Sequence, residues 1–279
     1  MNFSTDSAVT MLGIDAGSRF VKIVWSLQNS IDTGIAGDFS TATIDTAEFY
    51  REWVIRDASG LKIHSEKLME LTGRMSFEIT GITGYGRNVL DFSGGSVVNE
   101  IKAHAYGASI LSHETEFLLL DIGGQDTKVA LVQNGRPVDF VTNDKCAAGC
   151  GRYLEHMASI LGVDVETLSM AVDSPVYLSS TCAIFAESEV IGMMASGHSI
   201  SAIMAGVNSS AAERIFPLLE PFLSSTEKIF LSGGGGMNSG LSHFLGKLCG
   251  KEPLLLENAQ FCGAMGAMEI ARKKAVILK

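Results

Sequence analysis

Two short stretches of this chain combine an aspartate, a glycine turn and a lysine in the same order. The shared residues are Asp15, Gly17, Ser18 and Lys22 in the first copy and Asp121, Gly123, Gly124 and Lys128 in the second. Glycine allows backbone N–H groups to approach phosphate oxygens, and a carboxylate can hold a hydrated Mg²⁺ ion. One copy alone is more typical of an ordinary hairpin turn. Its repetition favours two phosphate-binding turns, and a nucleotide is the ligand that suits them best.

Each copy lies within an apolar run that predicts a strand, a tight turn and a second strand. The runs span 11–25 and 117–132. The chain therefore resembles two related halves, and we expect these halves to face each other across a cleft. The two lysines are interpreted as the surface ends of strands.

The composition excludes several classes of function. The 279 residues carry 21 Lys and Arg against 31 Asp and Glu, a net charge of −10, which argues against nucleic acid or an anionic membrane as a partner. No apolar stretch reaches the roughly 18 residues of a membrane span, and the N-terminal region has no basic segment typical of a signal peptide. We therefore expect a cytoplasmic protein. The 5 cysteines, an odd number, are a poor basis for a disulfide framework, so reduced thiols or metal ligands are expected.

Hydrophobic periodicity predicts further elements along the chain. Strands are expected over 31–36, 77–83 and 229–232, and helices over 97–111, 146–161, 163–172, 183–195, 199–223 and 259–273. Helical periodicity is also present over 43–71, with an interruption near Gly60. Arg87 follows a glycine turn and either lines a site or is exposed to solvent. Glu100 and His104 share one helix face, as a structural pair or as groups that orient something at the domain junction. Gly263 and Gly266 predict close packing of the last helix.

A run of four glycines follows the predicted strand at 229–232. A strand, glycines and a helix in this order are typical of a nucleoside site, because a base and a ribose can lie flat against a backbone without side chains. The alternative interpretation is a flexible loop.

The two aspartate turns, the late glycine turn and the small residues of the connecting helices resemble the actin, hexokinase and chaperone ATPase superfamily. Within it, the stretches 143–155 and 180–190 resemble the ATP-dependent activator components of 2-hydroxyacyl-CoA dehydratases and the related ATPase subunits of benzoyl-CoA reductases. The similarity covers nearly the whole chain. It implies an α/β fold of two duplicated ribonuclease H-like domains, of the actin and hexokinase type, that flank a nucleotide cleft. The expected domains are residues 1–103 with 258–279, and residues 104–257, which carry the cluster cysteines.

Members of this family are homodimers that hold one [4Fe–4S] cluster between their subunits, with two cysteines from each. The matching positions here are Cys146 and Cys182. The residues themselves point the same way with less detail, because a cubane normally needs four thiolates and sharing across a two-fold axis supplies the missing pair. The resemblance implies that ATP binding and hydrolysis drive an electron to a separate iron–sulfur reductase or dehydratase, with a ferredoxin or flavodoxin as the electron donor.

The nucleotide roles follow from position within the motifs. We expect Asp15 and Asp121 to hold Mg²⁺ through water and Gln125 to orient the attacking water. The residues expected to contact the phosphates of ATP or ADP are Gly17, Ser18, Arg19, Gly123, Gly124 and Gln125. The residues expected to border the adenosine are Gly234, Gly235, Asn238 and Gln260.

The remaining cysteines depart from the family pattern or have no pattern. Cys150 stands where the family has threonine, four residues after Cys146, which raises the alternative of a different cluster ligand. Cys249 and Cys262 are predicted to be buried, inert thiols. Two other functions stay open: a small-molecule kinase of the same superfamily, which needs an acceptor pocket, and a nucleotide sensor or polymerising actin-like module, which leaves the two cysteine-bearing helix starts unexplained.

Overall fold

The computed structural model describes residues 9–28, 39–57, 60–88, 90, 95–143, 147–179 and 182–277. The chain divides into two compact units, which are described separately. Unit 1 contains Met1–His113 and Phe261–Lys279, and unit 2 contains Glu114–Gln260. Each unit combines a five-stranded sheet with helices, so the α/β class expected from the sequence is confirmed. Among the residues so described, no helix combines the length and the apolar character needed to cross a bilayer.

The strands are β1 Val9–Ala16, β2 Phe20–Gln28, β3 Phe39–Asp45, β4 Val54–Asp57, β5 Gly60–Ile63, β6 Ile79–Thr83, β7 Ser96–Val97, β8 Phe117–Ile122, β9 Thr127–Gln133, β10 Arg136–Asn143, β11 Ile229–Ser232 and β12 Leu254–Leu255. The helices are α1 Thr46–Glu48, α2 Ser65–Thr72, α3 Glu100–Ser112, α4 Gly151–Leu161, α5 Val165–Ser169, α6 Ala183–Ala195, α7 Ile200–Leu219, α8 Ser239–Cys249 and α9 Cys262–Ile277. A π-helical turn spans Phe49–Trp53, and 3₁₀ turns span Ala147–Gly149, Glu220–Phe222, Gly235–Met237 and Ala259–Phe261.

The sheet of unit 1 has the strand order β3-β2-β1-β6-β7. The strands β1, β2 and β3 pair antiparallel, whereas β1, β6 and β7 run parallel. Strand β1 is buried along nearly its whole length, which explains why its sequence is almost continuously apolar. The strands β4 and β5 form a separate antiparallel hairpin.

Unit 2 repeats this topology. Its strand order is β10-β9-β8-β11-β12, with β8, β9 and β10 antiparallel and β8, β11 and β12 parallel. Asn134 and Gly135 join β9 to β10 with φ values of 52° and 67°, as a tight two-residue hairpin turn requires. The repeated strand order confirms that the chain consists of two related halves.

Helix α9 packs against the sheet of unit 1 at backbone distance. Gly13 and Gly81 are direct neighbours on β1 and β6. A Cβ atom at Gly13 would lie 2.1 Å from the carbonyl oxygen of Ala264, and one at Gly81 would lie 2.0 Å from that of Ala267. Both distances are far inside van der Waals contact, so the helix can lie here only because these two positions lack side chains.

Helix α3 contacts α9 in the same manner. A Cβ atom at Gly107 of α3 would lie 2.0 Å from the carbonyl oxygen of Cys262, and one at Gly266 of α9 would lie 1.8 Å from that of Ala103. The close packing predicted from the small residues of the last helix is therefore confirmed.

Most elements follow the predicted pattern, with one clear exception. The helix expected over 183–195 is α6, with the same bounds. The helical periodicity over 43–71 was wrong for most of that stretch, because β3 extends into it and the β4–β5 hairpin interrupts it before α2 begins at Ser65. Pairing between strands decides this segment, and periodicity within one segment does not report such pairing. The strand predicted at 31–36 lies outside the described residues.

We predict that Gly81→Ala destabilises the protein by about 1–3 kcal/mol or more, the range for overpacking a close contact. The reason is that the added methyl group would collide with the carbonyl oxygen of Ala267 in α9. Urea unfolding measures the change. Gly246→Ala, within α8, is the matched control. A Cβ atom at Gly246 would lie 3.4 Å from Pro253, an ordinary contact distance, and alanine favours a helix. Equal unfolding midpoints for the two variants would contradict the packing argument.

Candidate functional site

The first aspartate turn joins β1 to β2. Asp15 is the second-last residue of β1 and is 2% exposed, and its carbonyl accepts a 3.0 Å hydrogen bond from the amide of Gly17. The hydroxyl of Thr46 donates to the Gly17 carbonyl at 2.8 Å. A side chain at Gly17 is excluded, because its Cβ would lie 2.7 Å from the carbonyl oxygen of Phe20. The turn is therefore fixed at both ends.

The lysine of each motif lies beside its aspartate. Lys22 on β2 is the direct cross-strand partner of Asp15, and Lys128 on β9 is that of Asp121. The distances from Nζ to Oδ2 are 3.6 Å and 3.9 Å, and Lys128 also lies 2.7 Å from Oδ2 of Asp126. The lysine side chains are only 15% and 9% exposed. The interpretation of these lysines as surface ends of strands was wrong, because each one compensates the charge of a buried carboxylate.

Ser18 and Arg19 complete the first turn. The guanidinium of Arg19 forms an ion pair with Asp45 and lies 4.4 Å from the centroid of the Phe20 ring. Hydrogen bonds from the Glu48 backbone and from Arg19 hold the pKa of Asp45 below its usual value. Arg19 therefore ties the turn to Asp45 at the end of β3 through Nη1. Ser18 is half-buried.

The second aspartate turn follows β8 and is bonded to α4. Gly123 donates its amide to the carbonyl of Asp126 at 2.9 Å. The carbonyl oxygens of Gly123 and Gly124 accept 2.9 Å hydrogen bonds from the amides of Gly151 and Arg152, the first two residues of α4. Two backbone hydrogen bonds therefore join this turn to the start of α4.

Two neighbours of this turn have opposite environments. Gln125 is exposed at the tip of the turn. Thr127 is fully buried, and its hydroxyl donates to the carbonyl of Gly149 at 2.5 Å. Gly149 ends the 3₁₀ turn that comes directly after Cys146 in the chain. Cys146 itself lies outside the described residues, and Thr127 adds a further bond between the aspartate turn and the segment that follows this cysteine.

In each unit, a glycine with a left-handed backbone conformation follows the neighbouring parallel strand and lies against the aspartate. Gly84 follows β6 with φ 88°, and Gly233 follows β11 with φ 75°. A Cβ atom at these positions would lie 2.4 Å from Oδ1 of Asp15 and 2.6 Å from Oδ1 of Asp121. The equivalence of Gly84 and Gly233 was not predicted from the sequence. The available signal was a Thr-Gly and a Ser-Gly step, each at the end of a predicted strand.

The late glycine turn begins at the same edge of the sheet of unit 2. Gly234 is exposed, and a Cβ atom there would meet no heavy atom within 4 Å. Gly235 packs against the end of β8. Asn238 caps α8, because its side-chain oxygen accepts from the Leu241 amide at 2.7 Å and its side-chain nitrogen donates to Asn208 at 3.0 Å. The open face of this turn is therefore at Gly234, and the Asn238 side chain is engaged within unit 2.

Three other candidate residues have defined positions. Gln260 is half-buried in the 3₁₀ turn before α9. Arg87 donates from Nη1 to the carbonyl of Gly84 at 2.9 Å, so it stabilises its own turn. The ring of His104 is buried, and its Nε2 lies 3.6 Å from Oδ2 of Asp15. His104 therefore belongs to the surroundings of the first aspartate turn.

The described cysteines differ in exposure. Cys182 directly precedes α6 and is half-buried. Cys150 and Cys262 are buried, with 2% and 0% exposed, so Cys150 is a poor candidate for a ligand shared with a second chain. Burial raises the pKa of the half-buried Cys249 thiol, which agrees with an unreactive group.

Helix α6 is apolar, yet it buries only Ala186 and Val190. Its exposed side chains include Ile184 and Phe185, which are 73% and 70% exposed and come just after Cys182. Exposed apolar side chains grouped in this way are typical of a protein interface. The surface that they form with Ile191 and Met194 is called the α6 surface below.

The described residues thus form an α/β protein whose two units share one strand order and carry equivalent aspartate turns. The sequence profile of the BadF/BadG/BcrA/BcrD ATPase family matches residues 12–271. The chain therefore belongs to this family and is an ATPase, as the resemblance predicted.

Individual relatives agree with this assignment. The (R)-2-hydroxyglutaryl-CoA dehydratase activating ATPase of Acidaminococcus fermentans is 40% identical over 196 residues, which cover 69% of this chain and 75% of that protein. The 2-hydroxyisocaproyl-CoA dehydratase activator of Clostridioides difficile is 39% identical over 209 residues, covering 72% and 77%. The solved structure of the activator of the 2-hydroxyisocaproyl-CoA dehydratase from Clostridium difficile with bound ADPNP matches 97% of each chain, with a TM-score of 0.82 and 32% identity.

We predict that Lys128→Met lowers the free energy of unfolding by about 3 kcal/mol, the low end for breaking a buried ion pair. The variant leaves Asp121 and Asp126 without this cation. Lys67→Met is the control, because Lys67 lies 3.4 Å from Glu70 in a more exposed pair and should contribute about 0–1 kcal/mol. Urea unfolding of both variants measures the difference. If both variants lose a similar amount of unfolding free energy, the buried ion pair of Lys128 contributes no more than an exposed pair.

Proposed function

We propose that this ATPase is a homodimer that holds one [4Fe–4S] cluster between its two chains and passes an electron from that cluster to another protein. Cys146 and Cys182 of each chain are the proposed ligands, and a separate iron–sulfur dehydratase or reductase is the proposed acceptor. Two relatives of this chain are activators of dehydratases, which supports an acceptor of the dehydratase type. A ferredoxin or flavodoxin is the proposed electron donor.

The nucleotide roles divide between the two aspartate turns. The proposed Mg²⁺ ligands, through water, are Asp15 and Asp121, which suit a hard cation because both are carboxylates at the end of a strand. The proposed phosphate contacts are Gly17, Ser18, Arg19, Gly123 and Gly124. Gln125 is proposed to orient the attacking water, and its exposed position at the tip of the turn supports this role. The proposed adenosine contacts are Gly234, Gly235, Gln260 and the backbone at Asn238.

The observation that carries this proposal is the bonding of the second aspartate turn to the segment that follows Cys146. Gly123 and Gly124 each accept an amide hydrogen bond from α4, and Thr127 donates to Gly149. A turn that changes when ATP is bound or hydrolysed would therefore displace the start of α4. This supports a direct coupling between the nucleotide and the region of the Cys146 ligand, within one unit.

The described part of the second ligand site fits a cluster. Cys182 lies at the N-terminus of α6, where free backbone N–H groups and the helix dipole favour negative charge. When bound, a [4Fe–4S] cluster supplies a one-electron carrier whose potential depends on its surroundings. Two thiols from one chain satisfy only half of the four ligands that a cubane takes, and a two-fold axis supplies the rest.

A second copy of the chain also explains the α6 surface. Ile184 and Phe185 are exposed in the single chain, and burial of apolar side chains stabilises association by about 25 cal/mol for each Å² removed from water. The α6 surface begins immediately after Cys182, so contact between two copies there would bring both cysteines to one interface. A kinase would need an acceptor pocket and would leave this surface unexplained.

Anaerobically purified protein is predicted to contain about four irons and four acid-labile sulfides per dimer, the content of one cubane. Cys146→Ala and Cys182→Ala should each lose iron, whereas Cys150→Ala should retain it because Cys150 is buried away from the surface. Metal analysis and EPR after dithionite reduction measure the outcome. A wild type that hydrolyses ATP but contains no iron would refute the cluster and leave the ATPase assignment intact.

The coupling predicts a specific effect of Thr127→Val. The variant removes the hydroxyl that bonds Gly149 and keeps the two backbone hydrogen bonds between the turn and α4. We expect ATP to accelerate the removal of cluster iron by a chelator in the wild type and to accelerate it less in the variant. Thr127→Ser keeps the hydroxyl and should respond as the wild type does. ATP hydrolysis by both variants serves as the check on folding. A full ATP response in Thr127→Val would exclude this hydrogen bond as a route of coupling.

A further inference from the structure

We infer that His104 is a positioning residue for the carboxylate of Asp15, and that it strengthens the Mg²⁺-dependent part of nucleotide binding. The inference rests on the proposed role of Asp15 as a Mg²⁺ ligand through water. From the sequence, His104 had two open interpretations, and neither gave it a role at the first aspartate turn.

The geometry around Asp15 supports this role. Oδ2 of Asp15 lies 3.6 Å from Nζ of Lys22 on β2 and 3.6 Å from Nε2 of His104 on α3. Both residues are buried, since Asp15 is 2% exposed and His104 is 5% exposed. One carboxylate oxygen is therefore flanked by side chains from a strand and from a helix, in a place where neither can move freely.

Gly263 of α9 makes this approach possible. A Cβ atom at Gly263 would lie 2.5 Å from Nε2 of His104 and 2.9 Å from Oδ2 of Asp15. Any side chain there would separate the ring from the carboxylate. Because Gly263 has no side chain, His104 on α3 can lie next to Asp15 on β1.

The position of the ring is fixed by the packing of its helix. On either side of His104, α3 meets α9 at backbone distance, through Ala103 against Gly266 and through Gly107 against Cys262. Small residues in this contact leave α3 little freedom to shift or rotate. The ring therefore limits the positions that the Asp15 carboxylate can adopt, and at 3.6 Å it does so without a direct hydrogen bond.

The second aspartate has a different neighbour. Oδ1 of Asp121 accepts a 3.1 Å hydrogen bond from the hydroxyl of Ser232 on the adjacent strand β11. At the equivalent position beside Asp15, Thr83 instead donates to the carbonyl of Val98. The hydroxyl beside the second carboxylate therefore bonds that carboxylate, whereas the hydroxyl beside the first bonds a backbone carbonyl.

Calorimetric titration with ADP, in the presence and absence of Mg²⁺, tests this inference without any acceptor protein. Loss of a residue that orients a metal-binding group typically reduces metal affinity or activity by about 10–100-fold. His104→Ala should therefore reduce the gain in ADP affinity that Mg²⁺ gives by about 10-fold or more, while the Mg²⁺-free affinity stays within about threefold. His104→Gln, which keeps a polar side chain next to Asp15, should recover most of the gain.

Controls separate positioning from general damage. His113→Asn removes the other histidine of this region, at the end of α3 in a left-handed conformation that asparagine tolerates, and should leave both affinities unchanged. If His104→Ala weakens ADP binding equally with and without Mg²⁺, or leaves the Mg²⁺ gain intact, the inference is overturned. If ADP binding by the wild type does not respond to Mg²⁺, the proposed role of Asp15 fails as well.

Discussion

The close approach of α9 to the sheet of unit 1 is the constraint on which the first aspartate turn depends. Gly13 and Gly81 lie side by side on adjacent parallel strands and together form a flat area without side chains. The carbonyl oxygens of α9 fill this area at distances that exclude any Cβ atom. Because α3 meets the opposite side of α9 in the same way, one run of small residues fixes both the strand that ends in Asp15 and the helix that carries His104.

The two aspartate turns arise from strand register. In an antiparallel pair, residues directly opposite each other share one face of the sheet, so a lysine seven positions after an aspartate lies beside it when the hairpin turn is short. This register recurs at Asp15 with Lys22 and at Asp121 with Lys128. In each unit, the left-handed glycine after the next parallel strand then approaches the same carboxylate. A buried carboxylate, a compensating cation and exposed backbone therefore come together twice from one local pattern.

The sequence was sufficient for features that are local or repeated. The paired hairpins, the bounds of α6 and the family all follow from patterns within short segments. The burial of Lys22 and Lys128 could not be predicted, because a lysine at the end of an apolar strand has the same pattern whether or not a carboxylate lies opposite. The contact of His104 with Asp15 joins distant segments, and it depends on Gly263 in a third. The hairpin of β4 and β5 was missed for the same reason, since cross-strand pairing overrode the helical periodicity.

The equivalent turns differ in what surrounds them. The positions in unit 2 that correspond to Gly13 and Gly81 are Leu119 and Phe230, which are register partners and are buried. The ring of Phe230 packs on that of Phe117 at 5.1 Å between centroids, so side chains cover the sheet where unit 1 has a helix backbone. In unit 2, the side chains of Leu119 and Phe230 fill the space that glycines leave to a helix in unit 1. The second turn is bonded to the start of α4. The first turn is therefore held by a rigid framework, whereas the second is bonded to the segment that follows Cys146. Under the proposed function, both turns would hold the nucleotide, and the second would also transmit its state to the segment that follows Cys146.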